Sequence, residues 1–144
     1  MRRIKHLKII FGFVFTGLIV IQFVPVQKTN PPVTGEIQAP APVMQILRKA
    51  CYDCHSNETK WPWYSNIAPI SWLVVNDVME GREEMNFSVW NDFSNNRKYI
   101  RQTQCGKLVA QGEMPLWFYV PLHTEASLSQ EEIETIVAWA KETE

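Results

Sequence analysis

Apolar residues run almost without interruption from Ile9 to Val26, broken only by Gln22 and Pro25 near the far end. A run that is apolar on every side suits lipid better than one face of a globular domain. Its length meets the lower part of the roughly 17–25 residues that a spanning helix needs. The pattern then changes. "QKTNPPVTGEIQAPA" has no apolar period and carries Pro31, Pro32 and Pro40, so an extended, semi-stiff linker is expected. From Pro42 a helical period begins, with Val43, Ile46, Leu47, Ala50 and Cys54 on one face. Pro42 suits the first helical turn, where its missing N–H does no harm. "SWLVVNDVMEGREEMNF" predicts a second helix, with Trp72, Val75, Val78 and Met79 at helical spacing and Ser71 as its cap. "NRKYIRQTQCGKLVAQGE" predicts a third, stopped by Gly112 in a left-handed conformation. "SQEEIETIVAWAKE" predicts a last amphipathic helix with Ile133, Ile136, Val137 and Ala140 inward. Ser129 and Glu132 have the spacing of a capping box there. "NETKWPWYSNIAPI" and "MPLWFYVPLHTEAS" are broken by prolines and read as irregular. No strand-like alternation of any length is present. The expected class is mainly α, with residues 1–26 as a signal-anchor helix, 27–41 as the linker and 42–144 as a small helical domain.

Charge gives the first segment an orientation. Arg2, Arg3, Lys5 and Lys8 precede the apolar run, and no acid occurs before Glu36. Basic residues flanking a spanning helix stay in the cytoplasm, so the following domain is expected in the periplasm or outside the cell. No small-residue cleavage site follows the run, which favours an uncleaved anchor over a removed signal peptide. Without those four cations, ten basic and fifteen acidic side chains leave about −5. Such a domain lacks the basic face that a phosphate backbone needs, so nucleic acid is not an expected partner.

The chemistry concentrates in "ACYDCHS". Cys51, Cys54 and His55 form C-x-x-C-H, the attachment signature of c-type haem. Two thiols three apart on a helical turn reach the two vinyl groups on one porphyrin edge. The histidine that follows then comes under the iron as an axial ligand. Three rivals exist. A redox dithiol belongs beside a βαβ pattern, which is absent. A zinc site takes four ligands, and the adjacent Cys54 and His55 make an awkward tetrahedral pair. A chance match in a structural turn is the third, and an exported location argues against it. One covalent haem c is the expected cofactor.

If the iron is six-coordinate, its second axial ligand is expected from the later half of the chain. Met114 lies in "GEMPLWFY", held between Gly112 and Pro115, where a loop can present a thioether to a metal. Filling a gap in the core is its ordinary alternative. His123 is the runner-up. Trp61, Trp63, Tyr64 and Trp72 are candidates for pocket walls or propionate donors, and core packing is equally open to them. Arg82 is expected at the surface, with a propionate as the alternative partner. Cys105 shares a face with Leu108 and Val109 and reads as a small buried hydrophobe. No Ser/His/Asp triad or phosphate-binding glycine loop is present.

These motifs, with the tryptophan-rich stretch and "LSQEEIETIVAWA", resemble the bacterial haem-binding domain family with a C-x-x-C-H motif, over about Pro42 to Ala140. That resemblance implies covalent haem binding in a short, anchored or exported protein. A wider similarity is to class I cytochromes c, and it implies a cytochrome c-like helical domain with a methionine beside proline as the distal ligand. Ile136 and Trp139 match the apolar and aromatic pair of their final helix. Leu47 stands where they usually carry an aromatic, and "WPWYSNIAPISWL" is an insertion relative to the small members. The expected function is electron transfer with protein redox partners, rather than enzymatic turnover. The alternatives are a haem sensor or peroxidase-like enzyme with an open iron position, and a zinc-binding or purely structural module.

Overall fold

The computed structural model describes residues 2–142. It is helical, with six α-helices and no β-strand among the described residues. Two compact units divide the chain: residues up to Lys28 with Trp61–Asp77, and Thr29–Lys60 with residues from Val78 onward.

In the first unit, α1 spans Arg2–Val20 and continues as a 3-10 turn, Ile21–Phe23. His6–Phe23 is long and apolar enough to cross a membrane, and none of it is buried in protein. Eighteen residues rise roughly 27 Å, close to the thickness of a hydrocarbon core. At its end the Gln22 amide clasps the backbone of Ala68. Gln22 Nε2 donates to the Ala68 carbonyl at 2.9 Å, and Ala68 N–H donates to Gln22 Oε1 at 3.0 Å. Lys28 Nζ donates to Asn66 Oδ1. Between these contacts lies a short 3-10 turn, Trp63–Asn66, and a cis Ala68–Pro69 bond follows.

Helix α4 spans Ile70–Glu84 and contributes its first part to this unit and its last part to the other. It starts earlier than Ser71, because Ser71 N–H already donates to the Ile67 carbonyl at 2.9 Å. Ser71 is therefore a buried residue inside the helix and not its cap. The expected stripe also splits: Val78 is buried while Met79 is exposed.

The second unit is built on α2 (Ala41–Ala50), α5 (Asn95–Ala110) and α6 (Gln130–Lys141). The stripe Val43, Ile46, Leu47 and Ala50 is buried as its spacing predicts, and α2 packs on α6. Ile136 and Trp139 of α6 and Val109 of α5 share the same core. The α5–α6 crossing is close at Gly106, where an added Cβ would stand 2.4 Å from the Ala140 Cβ. Gln102 Nε2 donates to the Trp139 carbonyl at 2.9 Å across that crossing. Gly112 follows α5 with φ of 71°, the left-handed stop expected for it. The capping box at Ser129 and Glu132 is formed. Residues 29–37 have extended backbone with defined partners. Thr34 and Gly35 N–H donate to the Ser88 carbonyl, and Ile37 N–H donates to that of Phe87 at 2.8 Å. Ile37 itself is 1% exposed and lies in the core.

Two outcomes follow from the helix contacts. Alanine favours a helix over glycine by roughly 1 kcal/mol, but overpacking costs about 1–3 kcal/mol. Gly106→Ala is expected to destabilise on balance, as a lower denaturation midpoint. Lys49 Nζ, 2.6 Å from Glu132 Oε1, together with the capping contact at Ser129, holds the Glu132 carboxyl below the usual carboxylate range. A carboxylate depressed on folding adds stability above its unfolded value of about 4.3. That contribution is lost as pH falls through the folded value. Glu132→Gln should thus lower Tm near neutrality, and the difference from wild type should shrink in melts taken at increasingly acid pH.

Candidate functional site

Helix α2 runs straight into the cysteine motif. Cys51 breaks the helix with φ −124° and ψ −32°, although its N–H still donates to the Leu47 carbonyl at 2.9 Å. One further turn, α3 (Tyr52–His55), follows. Cys54 and His55 N–H both return to the Cys51 carbonyl, at 3.2 and 2.9 Å. The two thiols thus share one helical turn, with the imidazole directly after them. Neither cysteine is in a disulfide.

His55 is oriented by the end of α4. Its Nδ1 lies 2.8 Å from the Gly81 carbonyl and 3.1 Å from that of Met85. Carbonyl oxygens only accept, so Nδ1 must carry the proton and donate to both. Nε2 is then the lone-pair nitrogen. Burial holds the ring's pKa below its ordinary value, which keeps the imidazole neutral. Carbonyls near the end of a helix form the negative end of its dipole, and that of Gly81 accepts from Met85 N–H at 2.9 Å as well as from the imidazole. A donor placed there fixes the ring and makes the opposite nitrogen a better ligand, as outer partners of metal-bound histidines do.

This contact requires a glycine. A Cβ on Gly81 would stand 2.7 Å from the Cys54 carbonyl oxygen and 3.1 Å from its carbon. The next residue, Arg82, is half-buried, and its guanidinium is engaged by protein acceptors. Its Nε donates to the Ser56 carbonyl at 2.7 Å. Its other nitrogens donate to the Thr29 carbonyl at 2.8 Å, Asn30 Oδ1 at 3.0 Å and Thr59 Oγ1 at 2.8 Å. It is a tie between α4, the chain after the motif and residues 29–30.

The residues after His55 form a buried polar lattice. Ser56 Oγ donates to the Tyr52 carbonyl at 2.7 Å, and Thr59 Oγ1 to that of Asp53 at 2.7 Å. Asn57 N–H donates to Ser88 Oγ, and Asn86 Nδ2 donates to Asn57 Oδ1, both at 2.9 Å. Phe87 N–H closes the lattice on the His55 carbonyl at 2.8 Å. Unpaired buried polar groups are costly, so these reciprocal bonds fix the turn's position. The polar run "SNET" reads as loop, and nothing in its pattern marks it as interior. Gly81 leaves a faint signal, as a glycine inside a helix.

Cys51 is not tuned for redox exchange. Burial, then the neighbouring Cys105 and Cys54, raises Cys51 far above the ordinary thiol range. Burial also pushes Cys105 up to about 11. A disulfide-exchange cysteine needs the opposite shift. Cys105 packs against the core, as its helical face predicts.

The other expected residues are distributed as follows. Met114 is half-buried against the second unit's core, with its N–H 3.4 Å from the Leu108 carbonyl and a cis bond to Pro115. His123 stacks on Tyr119, with ring centroids 4.1 Å apart, and its Nδ1 is 3.3 Å from Glu125 Oε1. Tyr119 was not singled out by sequence, yet its hydroxyl donates to Asp53 Oδ2 at 2.8 Å. It ties the loop after Met114 to the turn between the two cysteines. Trp61, Trp63, Tyr64 and Trp72 belong to the first unit. Trp63 is 72% exposed, and the Trp72 indole N–H is buried without a hydrogen-bond partner.

A turn that carries two thiols and an oriented imidazole has the chemistry to hold a cofactor. Residues 16–142 match the model of the haem-binding domain family, and the chain belongs to that family. No curated protein and no solved structure matches it. The residues fit haem: Nε2 of His55 is uncommitted by any hydrogen bond, and the thiols flank it on the same turn. Among the described residues no group of three or more His, Cys, Asp or Glu side chains is arranged to hold a bare metal ion.

Gly81→Ala forces α4 away from Cys54 and pulls both carbonyls off His55 Nδ1. The expected result is a large loss of haem content in purified protein, with a lower Tm. Met79→Ala, on the same helix and exposed, should change neither and serves as the control.

Proposed function

We propose that the protein is a membrane-anchored monohaem carrier of the c type. Cys51 and Cys54 hold the porphyrin through thioether bonds, and His55 Nε2 is the proximal ligand. Bound haem supplies one-electron chemistry at its iron. The protein contributes a fixed imidazole, an enclosed turn and an anchor. Met114 is the distal ligand in this reading and His123 the runner-up. α1 crosses the cytoplasmic membrane, with its basic end inside and the haem-binding unit on the outer face. Its partners are redox proteins, toward which a mild negative charge would steer basic surfaces.

One observation carries the reading: the His55 tautomer is set by the carbonyls at the end of α4, beside two thiols on one turn. A redox dithiol would have no need of that imidazole, and it would not keep a buried, protonated Cys51. Met114 has support of a different kind. Its loop is tied to the motif through Tyr119 and Asp53, and it is half-buried against the core of the same unit.

The full-length protein, made in cells competent for cytochrome maturation, is expected to keep haem on a denaturing gel. Cys51→Ala with Cys54→Ala should abolish that stain. Met114→Ala should convert low-spin ferric haem to high-spin and lower the reduction potential. An unchanged low-spin spectrum would remove Met114 from the ligand set. High-spin iron already in the wild type would favour the sensor or peroxidase-like alternative.

A further inference from the structure

The stretch Trp61–Asp77 contains one charged residue, Asp77 itself, among three tryptophans, a tyrosine and a series of aliphatic residues. It shares a compact unit with α1. The reciprocal Gln22–Ala68 bonds fix its middle beside the last turn of that helix. Lys28, the first cation after α1, reaches Asn66 in the same stretch. The segment is therefore held where α1 ends, by both side-chain and backbone contacts.

Apart from Asn66 and Asn76, its exposed residues are apolar. Trp63 is 72% exposed, Ile67 44%, Ile70 45% and Leu73 64%. Ile70 and Leu73, three apart on α4, share one side of the helix. Contiguous exposed apolar surface marks a contact face. Tryptophan and tyrosine are enriched where hydrocarbon meets headgroups, and Trp63 and Tyr64 pack edge to face at this spot. The face meets the end of α1, whose span His6–Phe23 is apolar enough to cross a membrane and is unburied. None of its exposed residues offers a charge by which a protein partner would be selected.

We propose that Trp63, Ile67, Ile70 and Leu73 form a second membrane contact, seated in the interfacial layer of the leaflet where α1 emerges. The occupant of this face is the lipid bilayer. The segment lies along the surface, and its apolar side chains dip to the headgroup–acyl boundary, as interfacial helices do. The proposal rests on the reading of α1 as a spanning anchor.

The test uses the full-length protein in phosphatidylcholine–phosphatidylglycerol vesicles. A benzophenone-bearing amino acid replaces Phe15, Trp63, Ile67, Ile70 or Leu73, one at a time. These side chains are all exposed, so the replacements leave the core intact. After irradiation, the expected result is a mass shift of one phospholipid at Phe15 and at each of the four positions. Lipid adducts at Phe15 alone would overturn the proposal and leave the anchor standing. Adducts at the four positions to a second copy of the chain, or to an added protein, would overturn it in favour of a protein interface. No lipid adduct at any position, Phe15 included, would remove the anchor and the proposal together.

Discussion

The hydrogen bond from His55 Nδ1 to the end of α4 sets the conditions that the rest of the site must meet. For one imidazole to reach two backbone carbonyls, the last turn of α4 has to lie almost on the cysteine turn. That proximity is possible only where the helix carries no side chain, which places the demand on Gly81. It also brings Arg82 over the chain that leaves the motif, and the guanidinium's donors are spent on holding it there. The same bond selects the tautomer, so the electronic state of the prospective ligand follows from backbone geometry. The Gly81 carbonyl also accepts from Met85 N–H at 2.9 Å, so the imidazole shares an acceptor with the last backbone bond of the helix.

The surroundings of the motif are more polar than a conventional core, and this is consistent with their task. Ser56 and Ser88 are fully buried, and Asn57, Thr59 and Asn86 nearly so. Around the motif these side chains bond to backbone groups or to one another, so they define a single arrangement that apolar packing alone would not. On the other side the apolar framework is firm: Phe87 stacks on Tyr52 with centroids 5.2 Å apart and lies tilted to His55. The turn that carries the thiols is thus braced by hydrogen bonds on one flank and by aromatic contact on the other.

Much of the helical framework was readable from periodicity and capping signals. The faces of α2 and α6, the capping box at Ser129 and the left-handed stop at Gly112 all depend on local rules, and the structure follows them. The motif was legible because its chemistry fixes residue spacing. What could not be read was anything that depends on contact between distant segments. Ser71 looked like a cap, but the turn preceding it had already begun the helix. Arg82 looked like a surface cation because its four acceptors come from residues 29–30 and 56–59, which no local pattern brings near it. Tyr119 carries no local signal for the same reason, since its link to Asp53 spans 66 positions. The proximity of Cys51 to Cys105 had no local signal either.

The extended stretch before α2 has a practical consequence for preparing the protein. Ile37 is sealed in the core, Asn57 Nδ2 donates to the Pro32 carbonyl, and Arg82 draws on Thr29 and Asn30. A recombinant fragment trimmed to the first residue of α2 would uncover Phe87 and forfeit about 2 kcal/mol at Ile37 alone. It would also strand two donors of a partly buried guanidinium. A water-soluble version freed of its anchor should therefore begin no later than Thr29, so that the proline-containing segment travels with the haem-binding body.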